Sequence, residues 1–268
     1  MENNHYKYFI GHRKPEFPIW ENFQFYKVPD TSFSETDFLS TIYSNHKIFN
    51  EYASLFHLRQ TFDNSKNLDD LITICQYRRF VFNKKLGRPS KIMPWCMVLT
   101  YKEMMSLSIT DEYLPLSGNA YLIGSAMQLP SILQHYAAFH FTRDILRFTS
   151  TLVDCGIFTD EDAFNFLNSQ YLIPAPSCGT FTIGCFITIF KVLELAAIEF
   201  WNNGYQPYDD PYQSRVVSFL LERLNSFLLL SYLDKSSQNI NNLFGTTTMV
   251  APQDSDAFDV QRGLVSKN

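Results

Sequence analysis

The sequence predicts an α/β protein, with a mixed sheet in the amino-terminal half and a helical carboxy-terminal half packed on it. Short apolar runs rich in Ile, Thr, Tyr and Phe, each closed by Gly, Pro or charged residues, gather before residue 125. Apolar residues three and four apart dominate residues 126–245, in blocks separated by Pro, Gly, Asn and Asp. A chain of 268 residues that is 46% hydrophobic and 16% aromatic can bury a domain-sized core, which excludes global disorder, collagen and coiled coil.

The elements follow in order. Residues 6–10 read as a strand ended by Gly11, His12, Arg13, Lys14 and Pro15, and Pro18 keeps the next segment extended or turning. Between residues 34 and 59, Phe38, Ile42, Tyr43, Phe49, Tyr52, Ala53 and Phe56 recur at helical spacing, enough for two short helices. Residues 71–77 form a β-branched apolar run of strand length, expected at the centre of the sheet and ending in Arg78 and Arg79. A loop through Gly87, Arg88 and Pro89 leads to a strand over 92–100, and 121–123 add a short one. Helices are expected over 131–148, 160–170, 183–200 and 212–233. This makes one domain over 1–245, strand-rich to 125 and helix-rich after it, followed by a polar, loosely attached extension over 246–268.

A net charge of −5 argues against a nucleic-acid partner, which would draw on a basic surplus. The five cysteines are odd in number, scattered and without a CxxC pair, so neither a disulfide scaffold nor a thiolate zinc site is expected, and a reducing cytoplasm is the natural setting. The amino terminus does not read as a secretory signal. The oily stretch 183–200 is interrupted by Lys191, Glu194 and Glu199, which suits a buried amphipathic helix better than a membrane span of about 20 nearly uncharged residues.

Charge is unevenly spread. The 32 residues from Leu71 to Lys102 contain no Asp or Glu, yet hold Arg78, Arg79, Lys84, Lys85, Arg88, Lys91 and Lys102. In open α/β sheets the ligand crevice lies outside the carboxyl ends of strands, where Arg78 and Arg79 are expected, and guanidinium groups match phosphate oxygens bidentately. These arginines are therefore candidates for a phosphate-bearing ligand, such as a nucleotide diphosphate sugar, or for an acidic membrane surface, whereas Lys84, Lys85 and Lys91 read better as a solvated loop. Gly11 permits close approach of a ligand, with His12, Arg13 and Lys14 as adjacent donors.

His135 and His140, five apart and about 140° around a helix, make a poor metal pair. Tyr136, His140 and Asp144 recur at intervals of four, so a histidine held by a carboxylate could act as a general base or orient an acceptor hydroxyl; the bland alternative is a structural histidine. Glu222 and Arg223 interrupt an apolar helix and either line a cleft or form a structural ion pair with Arg215, two turns away. Most Phe side chains are core. A few Tyr and Trp, Trp95 and Trp201 among the candidates, could be platforms on which sugar rings or a nucleobase stack.

Taken in order, Phe9-Ile10-Gly11-His12-Arg13-Lys14-Pro15, Asn50-Glu51-Tyr52, Ile74-Cys75-Gln76-Tyr77-Arg78-Arg79-Phe80, His135-Tyr136 with His140, and Phe219-Leu220-Leu221-Glu222-Arg223-Leu224 resemble a bacterial family of capsular and O-antigen polysaccharide glycosyltransferases. Gln76 stands where that pattern has His, and Leu221 where it has Ser. The resemblance implies a GT-A-like sheet and transfer of a sugar, of hexosyltransferase type, from a nucleotide-diphosphate sugar to a glycan or lipid-linked glycan in capsule, lipopolysaccharide or exopolysaccharide biosynthesis. It implies a UDP-sugar as first choice of donor, and a cytoplasmic enzyme, with peripheral association at the inner face of the membrane compatible with that role. Gly11, His12, Lys14, Arg78 and Arg79 would then handle donor phosphates and His140 and Glu222 would stand near the sugar, with His135, Tyr136, Asp144 and Arg223 around them. A divalent Mn or Mg is compatible, although no Asp-x-Asp follows an expected strand: Asp254-Ser255-Asp256 falls in the polar extension and Asp209-Asp210 in a turn. The alternatives are a non-catalytic interaction subunit with a degenerate transferase fold, or another phosphate-ligand enzyme.

Overall fold

The computed structural model describes residues 4–11, 23–27, 42, 45–76, 78–91, 93–107, 111–116, 119–235 and 243–251. Strand β1 (His5–Ile10) pairs in parallel with β2 (Gln24–Tyr26) on one side and, residue for residue, with β3 (Leu71–Gln76) on the other. Helices α1 (His46–Phe49) and α2 (Glu51–Thr61) join β2 to β3. A tight turn reverses the chain into β4 (Arg79–Phe82), antiparallel to β3, and β5 (Arg88–Pro89) then forms the edge against β6 (Cys96–Thr100). Helix α3 (Tyr101–Ser106) starts on a capping box in which the Thr100 hydroxyl accepts from the Glu103 amide and Glu103 accepts from the Thr100 amide.

Strand β7 (Leu122–Gly124) returns to the sheet, β8 (Met127–Gln128) leaves it, and α4 (Ile132–Ala137), α5 (Thr142–Asp154) and α6 (Asp160–Asn168) follow. Strand β9 (Tyr171–Leu172) pairs with β8 outside the main sheet. Strand β10 (Gly179–Thr182) runs antiparallel between β3 and β7. Two 20-residue helices, α7 (Ile183–Asn202) and α8 (Val216–Lys235), precede β11 (Phe244–Ala251), and a 3₁₀ turn at Gln213–Arg215 leads into α8. The main sheet reads β2-β1-β3-β10-β7-β11-β6-β5, with β4 pairing to β11 and β3. Among the strands of this sheet β1, β2, β3, β7, β11 and β6 point one way, and β10, β4 and β5 the other.

The period of two along β3 feeds two cores. Ile72 and Ile74 face the helical layer of α2, α7 and α8, whereas Cys75 joins Phe9, Phe80, Phe82, Leu99 and Met104 on the opposite face. The aromatic excess is largely spent here: Phe148 packs edge-on against Phe200, and Phe80 stacks on Phe82. Fully burying such a side chain stabilises by about 1.5–3 kcal/mol. Helices α2 and α7 are also joined by the buried pair Arg59–Glu194, with Gln60 donating to the same carboxylate at 3.2 Å. The segment Gln213–Lys235 is apolar and long enough to cross a membrane, but most of it is buried inside the protein against α7 and α1.

Two expectations need correction. Residues 246–251, expected in a loosely attached extension, are the body of β11, a strand inside the sheet. The Thr run of residues 246–248 carries no apolar alternation, yet its β-branched side chains fit a strand flanked by β4 and β6. Strands are also not confined to the first half, because β8, β9, β10 and β11 lie beyond residue 125. Short strands such as these carry too few residues for a periodic signal.

Candidate functional site

The shared orientation of β1 and β3 brings Gly11 and the β3–β4 turn to one end of the sheet. Because β10 runs the opposite way, its entry loop delivers Ser177 and Cys178 to that same end. Gln76, the last residue of β3, donates to Glu51 Oε1 at 3.1 Å and to Ser177 Oγ at 2.9 Å. Helix α8 crosses above this point. Its Glu222 accepts from the Ala175 amide at 3.3 Å and lies 3.9 Å from the Arg79 guanidinium, and Ser226 accepts from the Ile173 amide at 2.7 Å. Arg79 and Glu222 keep 19% and 24% of their side chains exposed, enough for a ligand to reach both.

Backbone strain marks the same place. Among the described residues, only Asn50 (φ 52°) and Ala175 (φ 53°) are non-glycine residues at positive φ. Asn50 precedes Glu51, and Ala175 holds Glu222. Such conformations cost roughly 1–3 kcal/mol and cluster where a site over-determines them.

Arg223 is buried at 5% exposure. It donates to the Phe219 carbonyl at 2.8 Å, lies 3.6 Å from Glu222 and sits 5.2 Å from the Tyr136 ring centre, a cation–π contact. Arg223 Nε, His135 Nδ1 and Tyr136 Oη, neighbours in this corner, have no hydrogen-bond partner among the described residues. Arg215 does not serve as the expected partner of Glu222: it lies 5.2 Å from the Phe219 ring and faces the Asn50 amide, whose oxygen, once turned toward it, accepts from Nε at 2.8 Å.

The Tyr136, His140 and Asp144 group forms only in part: the Tyr136 and His140 rings lie 4.7 Å apart, but Asp144 does not hold His140. Helix α4 ends at Ala137 and α5 begins at Thr142, so the intervals of four do not run along one helix. Asp144 accepts from the Tyr208 hydroxyl at 2.9 Å, and His140 Nδ1 meets Gln213 Oε1 at 3.3 Å instead. The His140 ring is stacked on Phe219 at 4.4 Å and Tyr212 at 5.4 Å. Burial, then the Arg223 charge, pushes both His135 and His140 down to about 4, far below the value that suits a general base at neutral pH. His140 is thus placed as a wall of the site, with a neutral ring.

The acid-free segment is also divided. Arg78 and Arg79 stand at the site end of β3, where the Arg78 carbonyl accepts from the Val250 amide at 2.9 Å. Because β4 runs back along the sheet, Lys84 leaves the site and pairs with Glu112 at 2.5 Å, while Arg88 lies on the β5 edge. His12, Arg13 and Lys14 lie outside the described residues, as do Asp254 and Asp256; β11 ends three residues before Asp254. Among the described residues no group of three or more His, Cys, Asp or Glu side chains is disposed to hold a metal ion. Burial raises the thiols of Cys75 and Cys178, the latter to about 12, so neither is poised as a nucleophile.

A cavity of about 660 Å³ opens at the other end of the sheet, beside Leu71, Tyr121 and Thr182. Asp69 is its acidic group, and neither Lys nor Arg lines it, so it does not suit a diphosphate. Glu51 was not singled out as a site residue in the sequence. It begins a helix whose apolar spacing was legible, but nothing in that spacing marks Glu51 itself, and only the pairing of Gln76 reveals its position.

No family model matches the chain, and no curated protein matches it. Among solved structures it is similar to WbbM, a bifunctional glycosyltransferase in its apo form, with a TM-score of 0.69 at 12% identity. That likeness covers 93% of this chain and 46% of the other, so the chain spans less than half of its structural relative. The mixed α/β architecture is therefore one shared with part of a glycosyltransferase.

Proposed function

We propose that the chain is a glycosyltransferase that passes a sugar from a nucleotide-diphosphate sugar to a glycan acceptor in surface polysaccharide biosynthesis. The observation that carries the reading is the Arg79–Glu222 pair at the carboxyl end of β3, in a fold similar to that of a bifunctional glycosyltransferase. The ordered sequence blocks that resemble capsular and O-antigen transferases favour the pathway, and a UDP-sugar is the first donor to test.

In this reading Arg79, with Arg78, binds the donor diphosphate and stabilises the negative charge that develops as the bond from the anomeric carbon to the phosphate oxygen breaks. Donor binding draws Arg79 away from Glu222, and the carboxylate, still held in place by the Ala175 amide and Arg223, accepts the proton of the attacking acceptor hydroxyl as the new glycosidic bond forms. The diphosphate leaves with the electron pair. His135 and His140, both neutral, shape the acceptor side. Calorimetric titration with a panel of nucleoside diphosphate sugars, with and without manganese, followed by assay of sugar transfer, tests the proposal. One donor is expected to bind with micromolar affinity; binding of none would sink it, and binding without release or transfer of the sugar would favour a non-catalytic subunit.

A further inference from the structure

Resting on that reading, we infer that the seam between residues 138–143 and 208–213 is the acceptor subsite, an aromatic shelf that takes the pyranose rings of a neutral oligosaccharide. Three large rings there are half in solvent: Phe139 at 49%, Phe141 at 50% and Tyr212 at 45%. Scattered apolar residues on a surface need no explanation, but three half-exposed rings on two segments tied together by Gln213 are more than scatter.

These rings are held rather than loose. Phe139 packs 5.5 Å from His135, Phe141 lies 5.2 Å from Tyr208, and Tyr212 stacks on His140. The Gln213 amide ties the seam by donating to the Phe139 carbonyl at 3.2 Å and meeting His140 Nδ1 at 3.3 Å. Each ring therefore has one side supported and part of its area open. This suits a sugar, whose apolar C–H face stacks on a ring while its hydroxyls reach polar groups at the margin. Such groups are present: the Arg143 guanidinium, which donates to Tyr208 Oη at 2.6 Å, and the Gln213 amide.

Two observations select this occupant. The shelf is continuous with the proposed transfer site, because the His140 ring lies 4.7 Å from the Tyr136 ring, which in turn lies 5.2 Å from the Arg223 guanidinium beside Glu222. The adjoining turn also exposes Asp209 and Asp210, whose carboxylates disfavour an anionic membrane surface.

The test is saturation-transfer NMR and titration with defined di- to tetrasaccharides of glucose, galactose, mannose, rhamnose and N-acetylglucosamine, alongside UDP and anionic phosphatidylglycerol vesicles. Phe141→Ala and Tyr212→Ala should each weaken oligosaccharide binding roughly three- to tenfold, the worth of one aromatic contact, with UDP affinity unchanged. Tyr212→Phe, which keeps the ring, should retain binding and show that the loss is not a folding effect. Unchanged affinity in both Ala variants, no binding of any oligosaccharide, or vesicle binding that these variants abolish would each overturn the inference. Loss of UDP binding in the wild type would instead strike the donor reading and leave the oligosaccharide result to be judged by itself.

Discussion

At the residue scale, the proposed chemistry turns on the ion pair of Arg79 with Glu222. Replacing Glu222 by Gln keeps the shape and removes the proton acceptor, so transfer should fall by about 10²–10⁴ while donor affinity holds; parallel losses of both would show a binding role instead. Arg78→Ala should weaken donor binding, with unchanged affinity in the titration ruling out its assigned role. The histidines predict a pH effect. His5, His135 and His140 are held near 4 in the folded protein against about 6.5 when unfolded, so the unfolded chain binds more protons between those values. Their effect on stability is nil above pH 6.5, and stability is lost progressively as pH falls from 6.5 to 4. Asp144 and Glu194, raised mainly by burial, act in the opposite sense and offset part of the loss. Thermal melting from pH 7 to pH 4 should show a falling Tm, with a shallower fall in His140→Gln; an identical slope would contradict the burial account. Arg78, Arg79, Glu222 and Arg223 were legible in the sequence because charge stands out against apolar runs. The partners of His140 were not, because the helix break at residues 138–141 follows no Pro or Gly, and the role of Gln213 depends on a contact across 73 residues.

Elements carry the next set of consequences. Gly179 at φ +137° begins β10 where an added Cβ would meet the Leu122 carbonyl oxygen at 2.3 Å. Gly179→Ala should therefore cost about 2–3 kcal/mol and lower Tm by roughly 5 °C or more, as read by calorimetry. A change within 1 °C would mean that β10 shifts freely. Breaking the buried Arg59–Glu194 pair with Glu194→Ala should cost about 1–3 kcal/mol, because the guanidinium loses its partner on α7 and keeps Asp63, at 2.7 Å on its own side, as its remaining carboxylate. The strand β3 and the helices α7 and α8 were readable because β3 is a continuous β-branched apolar run bounded by charge and the two helices are long apolar stretches. Strand β11 was not: its Thr-rich run looks polar until β4, β6 and β7 supply its hydrogen bonds, a case of tertiary pairing overriding local pattern.

On the scale of the whole molecule, an acidic chain sets Arg78 and Arg79, the cations of the proposed site, at the carboxyl end of β3 and carries Lys84 and Arg88 of the same segment away from it, while Lys102 follows β6 at that same end. The sequence shows one acid-free run of seven cations, but folding divides it, because β4 reverses direction after Arg79 and carries Lys84 to a carboxylate, Glu112, that lies outside the run. That division is the central claim, and one comparison tests it directly: the affinity of the wild type, Arg79→Ala and Lys84→Ala for the preferred nucleoside diphosphate sugar, measured by titration at fixed salt. Arg79→Ala should lose at least tenfold in affinity while Lys84→Ala stays within about twofold of the wild type. Equal losses in both variants, or none in Arg79→Ala, would contradict a phosphate site at the carboxyl end of β3.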